Sequence, residues 1–328
     1  TSLAHSAQIG CYQRRHTPRL TALRRPTIVV ANRWGGFSNG EPGMNLTLRR
    51  GTAADAVRCG AICYDAFKTI SQAHNFPPDI PSADIAAGFL GRMLSHPRFY
   101  SVVAEADGRI LGSNFLDERN PIYGIGPITV EPTMQNTSVG RRLMADVMAR
   151  VASQKAAGVR LVQAAFHNRS LSLYTKLGFD VREPLACMQG AALRLQLSGR
   201  TVRAANEADL DACNRLCVQV HGADRGGELI DAARHGTATV VEHDGQISGY
   251  ATVIGFFGHA VGASNADLQA LIGGAGEIAG SGFLLPTRNA DLFRWCLAHG
   301  LRIVQPLTLM SFGSYSDPAG AFLPSITY

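Results

Sequence analysis

The chain lacks an apolar run long enough to span a membrane. Its longest, Tyr250 to Ala263, is interrupted by His259 and falls short of the roughly 18 residues that a spanning helix needs. No hydrophobic core of a secretory signal is present, and the body of the chain lacks the basic surface expected of a nucleic-acid binder. Of the net charge of +6, residues 1–43 carry +5, with six Arg against the single acid Glu41, so the remaining 285 residues are nearly neutral. The seven cysteines are odd in number and match neither a disulfide framework nor paired Cys-x-x-Cys zinc knuckles. Cys59 and Cys63, like Cys213 and Cys217, stand four apart on predicted helices. Each pair then shares a helix face as small packing residues, with no His or acid nearby to complete a metal site. These absences predict a soluble globular protein with reduced thiols in a cytoplasmic setting, binding no metal, nucleic acid or membrane.

With 328 residues the chain has room for about two domains. Residues 1–43 show no helical or strand period and contain Pro18, Pro26, Pro42 and a Gly35-Gly36 pair. They are expected to be disordered, as a basic extension ahead of Met44-Asn45 or, alternatively, as a transit segment to an organelle matrix. From Leu46 the pattern alternates. Strands are expected at Leu46–Arg50, Tyr100–Glu105, Arg109–Leu116, Gly126–Val130 and Val159–Phe166, and helices at 53–73, 138–157 and 169–177. This is a mixed α/β sheet layered with helices, with Ala106-Asp107-Gly108 as a hairpin turn.

The chain also repeats itself. Thr47, Arg49, Asp55, Cys59 and Cys63 recur without a gap as Thr201, Arg203, Asp209, Cys213 and Cys217. Glu105, Asp107, Gly108, Ile110 and Gly112 recur as Glu242, Asp244, Gly245, Ile247 and Gly249. Two copies of one fold explain this, with domains at 44–190 and 191–328, a boundary in the Gln189 to Arg200 region, and a strand there that can cross between the halves.

Two segments carry chemistry. In Gly126-Pro-Ile-Thr-Val130-Glu-Pro132-Thr-Met-Gln135-Asn-Thr-Ser138-Val-Gly140-Arg141-Arg142, a strand runs through a polar turn into an amphipathic helix. Unpaired N–H groups and the helix dipole at such a start suit a diphosphate, with Arg141 and Arg142 available to add charge. In Asn168-Arg-Ser-Leu-Ser-Leu-Tyr174-Thr-Lys-Leu-Gly178-Phe179, Asn168 would cap a helix, Tyr174 would pack with Leu171 and Leu177, and Gly178 would end it.

Both segments, in this order, resemble the GNAT acetyltransferases. The acetyl-CoA loop of that family reads Gln/Arg-x-x-Gly-x-Gly/Ala, and its later motif reads Asn-x-x-(Ala/Ser)-x-x-x-Tyr-x-x-x-Gly-Phe. Gln135 and Gly140 match the loop, while Ser138, a residue able to cap the helix, replaces its middle Gly. The resemblance covers residues 46–182 and implies two tandem GNAT-like domains, the second a degenerate copy. It implies acetyl transfer from acetyl-CoA to an amine by direct attack. The co-substrate would be held by Ile128, Val130, Gln135, Asn136, Thr137, Ser138, Val139, Gly140, Arg141 and Asn168. Tyr174 would protonate the departing thiolate, and main-chain N–H groups near Ile128 to Val130 would polarise the carbonyl. Asp117 and Glu118, at a strand end, are candidates to bind or deprotonate a cationic acceptor, or else are solvated strand-end acids. His167 is a further candidate or a structural residue. The acceptor is a small-molecule or peptide amine, and a homodimer stays open.

In the second half the corresponding turn, Val261-Gly262-Ala-Ser-Asn265-Ala-Asp267, has no such loop, and Asp267 would repel a diphosphate. Trp295 or Cys296 stands in the place of Tyr174, so this half is expected to be silent. It would then wall the acceptor pocket through its apolar end, Leu307 to Tyr328, and a chain ending near Arg200 would still bind acetyl-CoA but lose turnover. The alternative is a non-catalytic acyl-CoA sensor or scaffold, against which Tyr174 argues. A dinucleotide module fits less well, because Gly-rich Ile272 to Gly282 lacks the flanking strand and helix. Calorimetry should give one acetyl-CoA site per chain, abolished by Gly140→Asp; two sites per chain would overturn the silence of the second half.

Overall fold

The computed structural model describes residues 45–328, so the readings of the basic segment 1–43 lie outside the described residues. The first half runs β1 (Thr47–Arg50), α1 (Ala56–Ala73), α2 (Ala83–Ser95), β2 (Phe99–Ala106), β3 (Arg109–Asp117), β4 (Ile122–Ile125), β5 (Thr129–Val130), α3 (Val139–Ser153), β6 (Gly158–Ala164), α4 (Asn168–Lys176) and β7 (Asp180–Gln189). The second half repeats the theme with β8 (Thr201–Ala204), α5 (Leu210–His221), α6 (Gly226–Arg234), β9 (Thr239–His243), β10 (Gln246–Ala251), β11 (Ala260–Gly262), α7 (Asn265–Gly274), β12 (Phe283–Pro286), α8 (Ala290–Ala298), β13 (Arg302–Gly313) and β14 (Ala321–Leu323). No helix of the described residues is long and apolar enough to cross a membrane.

The repeated residues make the same structure twice. Arg49 on β1 bridges Asp55 and Glu105, each at 2.8 Å, and Arg203 on β8 bridges Asp209 at 2.7 Å and Glu242 at 2.6 Å. The two acids also cap their helix starts by reaching back to the N–H groups of Thr52 and Asn206. Asp107-Gly108 and Asp244-Gly245 adopt matching left-handed pairs, with φ of 51° and 72° in both turns, as tight hairpins require. Cys59, Cys63, Cys213 and Cys217 are buried at equivalent places in the α1 and α5 cores. No group of three His, Cys, Asp or Glu among the described residues is placed to hold a metal ion.

Helix α2 and strand β4 went unread in the sequence, and the strand expected at Gly126–Val130 is shortened. β4 ends at Ile125, Gly126 takes a φ of +133°, and only Thr129–Val130 rejoin β3. β4 pairs in parallel with β6 from Ile122↔Gly158 to Gly124↔Arg160 and then departs, leaving an open wedge between the two strands.

The halves are joined by strand exchange. The larger sheet has the order β1-β2-β3-β4-β6-β13-β7-β12. β13, from the second half, lies between β6 and β7 of the first, pairing Leu307 with both Ala164 and Leu185. β7 in turn carries β12 on its other edge. The smaller sheet, β14-β11-β10-β9-β8, belongs wholly to the second half.

This topology argues against the expectation that a chain ending near Arg200 still binds acetyl-CoA while losing turnover. Such a truncation removes β13, whose Leu307, Leu309 and Met310 are at most 2% exposed. Each fully buried side chain of this kind is worth roughly 1.5–3 kcal/mol, against a net stability of roughly 5–15 kcal/mol for a whole domain. The truncated chain should therefore aggregate or show no cooperative unfolding by circular dichroism; a cooperative transition near that of the full chain would refute this.

Candidate active site

The wedge between β4 and β6 opens into a cleft of about 340 Å³. Its polar mouth is the turn that enters α3. Asn136 and Ser138 take left-handed φ values of 71° and 66°, and Thr137 Oγ1 donates to Met134 O at 2.5 Å. The first bond of the helix runs from Arg142 N to Ser138 O, so the N–H groups of Val139 and Gly140 precede the ladder. Ser138 occupies the N-cap position, but its side chain makes no capping bond, contrary to expectation. Its left-handed backbone is the reason: this conformation costs a non-glycine residue about 1–2 kcal/mol and aims the hydroxyl away from the helix N–H groups.

The predicted loop residues divide by role. Ile128, Val130, Gln135, Asn136, Ser138, Gly140 and Arg141 line the cleft, whereas the side chains of Thr137 and Val139 are turned into the loop and the core. Gln135 serves as a brace, donating to Val130 O at 3.4 Å and accepting from Arg169 at 2.7 Å. Arg142 is not available for phosphate, since its guanidinium donates to Leu46 O at 2.8 Å.

At α4 the cap is His167 rather than Asn168, with its Nδ1 accepting from Ser170 N at 3.4 Å; Asn168 begins the helix outside the cleft lining. Burial, together with nearby Arg169, holds His167 down at about 4, so it is a neutral cap. Tyr174 lies in the first-half core with Leu171, Leu177 and Phe179 and borders the cleft. Burial pushes its phenol up to about 12. It therefore stays protonated at every physiological pH.

Asp117 and Glu118 are neither cleft residues nor solvated acids. Both are buried at the end of β3. Asp117 takes Arg119 at 2.6 Å, which also reaches Asp231 at 2.9 Å and Glu228 at 3.4 Å in the second half. Glu118 takes Arg150 at 2.7 Å. A carboxylate committed to a guanidinium in this way ties elements together and does not face the cleft.

Two features of the cleft went unread. Gln163 on β6 is 6% exposed, with both amide atoms unpartnered. Strand alternation sets it on the same face as Val159 and Leu161, toward Tyr174. Asp79, in the α1–α2 loop, borders the cleft and accepts from Gln305 of β13. The second half lends Phe256, Phe257, Leu307, Ile326 and Thr327 to the wall, as its apolar end suggested.

Against this geometry, residues 97–181 match the family model described as an acetyltransferase (GNAT) domain. The chain carries a GNAT domain. No curated protein sequence matches it significantly. Among solved structures, a Pyrococcus horikoshii protein named as an acetyltransferase is 17% identical over 85% of this chain and 94% of its own, with a TM-score of 0.65. A GCN5-related N-acetyltransferase from Sphaerobacter thermophilus is 17% identical over 83% and 97%, with a TM-score of 0.55. A tandem GNAT protein from the clavulanic acid biosynthesis pathway is 13% identical over 83% and 100%, with a TM-score of 0.51. The fold is accordingly two GNAT-like halves in tandem.

The second GNAT-like half differs at the corresponding helix start. Asp267, 1% exposed at the start of α7, accepts from Ser264 N at 2.9 Å, Ser264 Oγ at 2.6 Å, Ser248 Oγ at 2.8 Å and Arg200 at 2.9 Å. The carboxylate closes a capping box at this helix start and adds a buried negative charge there, which disfavours an anion. Helix register also decides the ambiguity over Tyr174: counted from Asn168 and Ala290, the first residues of α4 and α8, its counterpart is the buried Cys296.

An orphaned buried amide costs about 1–3 kcal/mol. Gln163→Leu should therefore raise the stability of the ligand-free protein by that order, read as a higher Tm. An unchanged or lower Tm would show that the amide is satisfied.

Proposed function

We propose that the protein is an N-acetyltransferase that transfers acetyl from acetyl-CoA to an amine by direct attack, working only in the first half. One observation carries this reading. A single cleft joins the helix start at Val139 and Gly140, the wedge between β4 and β6, and the protonated phenol of Tyr174.

The residues fit such a co-substrate in order along the cleft. The N–H groups of Val139 and Gly140, with the helix dipole, receive the diphosphate. A Cβ built on Gly140 meets only Val130 Cγ2, at 3.6 Å, so nothing of the protein's own fills that mouth. Beyond Gly124 and Arg160 the facing edges of β4 and β6 no longer pair, and their main-chain groups can take the pantetheine amides. Gln163 offers a donor and an acceptor for the same arm. Main-chain N–H groups near Ile128 to Val130 polarise the thioester carbonyl, and the wedge holds the amine nitrogen against the carbonyl carbon.

Tyr174 acts on the sulfur. As the C–S bond breaks, its electron pair stays on sulfur, and the phenol donates its hydrogen to the charge that develops there. This interaction exists only late in the reaction, so it should affect turnover more than binding. Tyr174→Phe should lower kcat by about 10²-fold, the lower end of what a positioned proton donor contributes. Calorimetry should meanwhile show acetyl-CoA affinity changed less than about threefold in free-energy terms of under 1 kcal/mol. An unchanged kcat would leave Tyr174 as a packing residue, and acetyl-CoA binding without turnover on any amine would favour a non-catalytic sensor.

A further inference from the structure

The two sides of the cleft differ in chemistry. The α3 side is polar, with the loop N–H groups, Arg141 and Arg169, whereas the other side is walled by Phe67 and Ile70 of α1, Phe89 of α2, and Phe256, Phe257 and Ile326 of the second half. The rings of Phe89 and Phe257 meet across the halves at 4.4 Å, and Ile326 N donates to Phe256 O at 2.9 Å. This wall is therefore built jointly. Among the described residues on this apolar side, a single charged group borders the cleft: Asp79.

Asp79 is held as a positioned group would be. Ser281 Oγ donates to its backbone carbonyl at 2.6 Å, Gln305 donates to Oδ1, and no hydrogen bond engages Oδ2. No ion pair neutralises it among the described residues. The titratable groups that face it are Cys63 of α1 and Cys187 of β7, thiols that burial keeps protonated. Burial pushes the Asp79 carboxyl up to about 6, against the opposing effect of the Gln305 hydrogen bond. It is then largely ionised at neutral pH yet basic enough to accept a proton.

Resting on the acetyl-transfer reading, we infer that the acceptor is a compact primary amine on an apolar or aromatic body, its ammonium bound and deprotonated by Asp79 Oδ2. One carboxylate among aromatic walls matches one ammonium. A polyamine or aminoglycoside would bury further cations without partners, and a free amino acid would press its carboxylate against apolar wall with no cation to receive it.

The step balances as follows. The ammonium gives one proton to Asp79, which passes it to solvent. The freed nitrogen lone pair forms the C–N bond as the C–S bond breaks, with that electron pair going to sulfur. The second nitrogen proton leaves to solvent, and solvent returns one proton to Tyr174 after its hydrogen has gone to sulfur, so the products are the N-acetyl amine, the CoA thiol and one released proton.

The test uses the full chain and Asp79→Asn, which keeps an oxygen for Gln305 and removes the charge; thermal unfolding checks that the variant is folded. Calorimetry should show 2-phenylethylamine binding the unsubstituted protein at least tenfold more tightly than the neutral 3-phenylpropan-1-ol, with the preference lost in Asp79→Asn. Amine affinity should fall as pH drops below about 6, where Asp79 protonates, and the variant should lack this dependence. In turnover, kcat/KM for 2-phenylethylamine should exceed that for L-phenylalanine, spermidine or a lysine-containing peptide at least tenfold. Equal amine binding by a folded Asp79→Asn, or a preference for any of those three acceptors, overturns the inference. Amine binding through Asp79 without acetyl-CoA binding in a separate titration would keep the acceptor assignment and defeat the acetyl-transfer reading instead.

Discussion

Pairing of β13 with both β6 and β7 is the constraint on which the rest of the molecule depends. β6 is one wall of the cleft, and its edge away from the wedge would stand open without β13. The same strand carries Gln305 to Asp79 and Leu307 to the cleft lining. A sheet edge buried without a partner leaves a row of unsatisfied N–H and C=O groups, so the exchange is hard to reverse. The first half thus completes its site with a strand it does not encode, and the two halves form one working unit despite their separate helical cores. Arg119, with Asp117, Glu228 and Asp231, adds an ionic tie across the same junction.

Duplication also shows where the two halves part. Both halves keep the Arg clamp on the first strand, the hairpin turn and the buried cysteine pair, because these residues hold elements together. They part at the helix starts. α3 leaves its first N–H groups toward an open cleft, at the cost of a left-handed Ser138. α7 places the buried Asp267 carboxylate at its start, where it accepts from the N-cap Ser264 N, Ser248 and Arg200.

The cleft concentrates features that lower stability: a non-glycine residue at positive φ, a buried amide without partners in Gln163, and a carboxylate raised by burial in Asp79. Elsewhere among the described residues, buried acids such as Asp117, Glu118, Glu183 and Asp267 have guanidinium partners. Such a contrast is expected where groups are kept ready for a ligand rather than for one another.

Local sequence carried much of this. The strand-turn-helix from Gly126, the run from Asn168 to Phe179, the repeat and the helix-face cysteines are all decided within one or two elements, where periodicity and turn chemistry act directly. Even there the cap passed from Asn168 to His167, and the Gly126–Val130 strand shrank to Thr129–Val130 behind the unread β4 at Ile122–Ile125, because neighbouring strands choose between nearly equal local options. Asp79 sits in Phe76-Pro77-Pro78-Asp79-Ile80-Pro81, a stretch that reads only as a loop, and Gln163 reads only as one polar residue in a strand. Asp117 and Glu118 looked like free acids until Arg119 and Arg150 closed on them. What the sequence by itself determined was the family pattern, the duplication and the phosphate turn. Which acid stands in the cleft, and that β13 completes the first half, were decided only by tertiary structure, since both depend on pairing between residues more than a hundred positions apart.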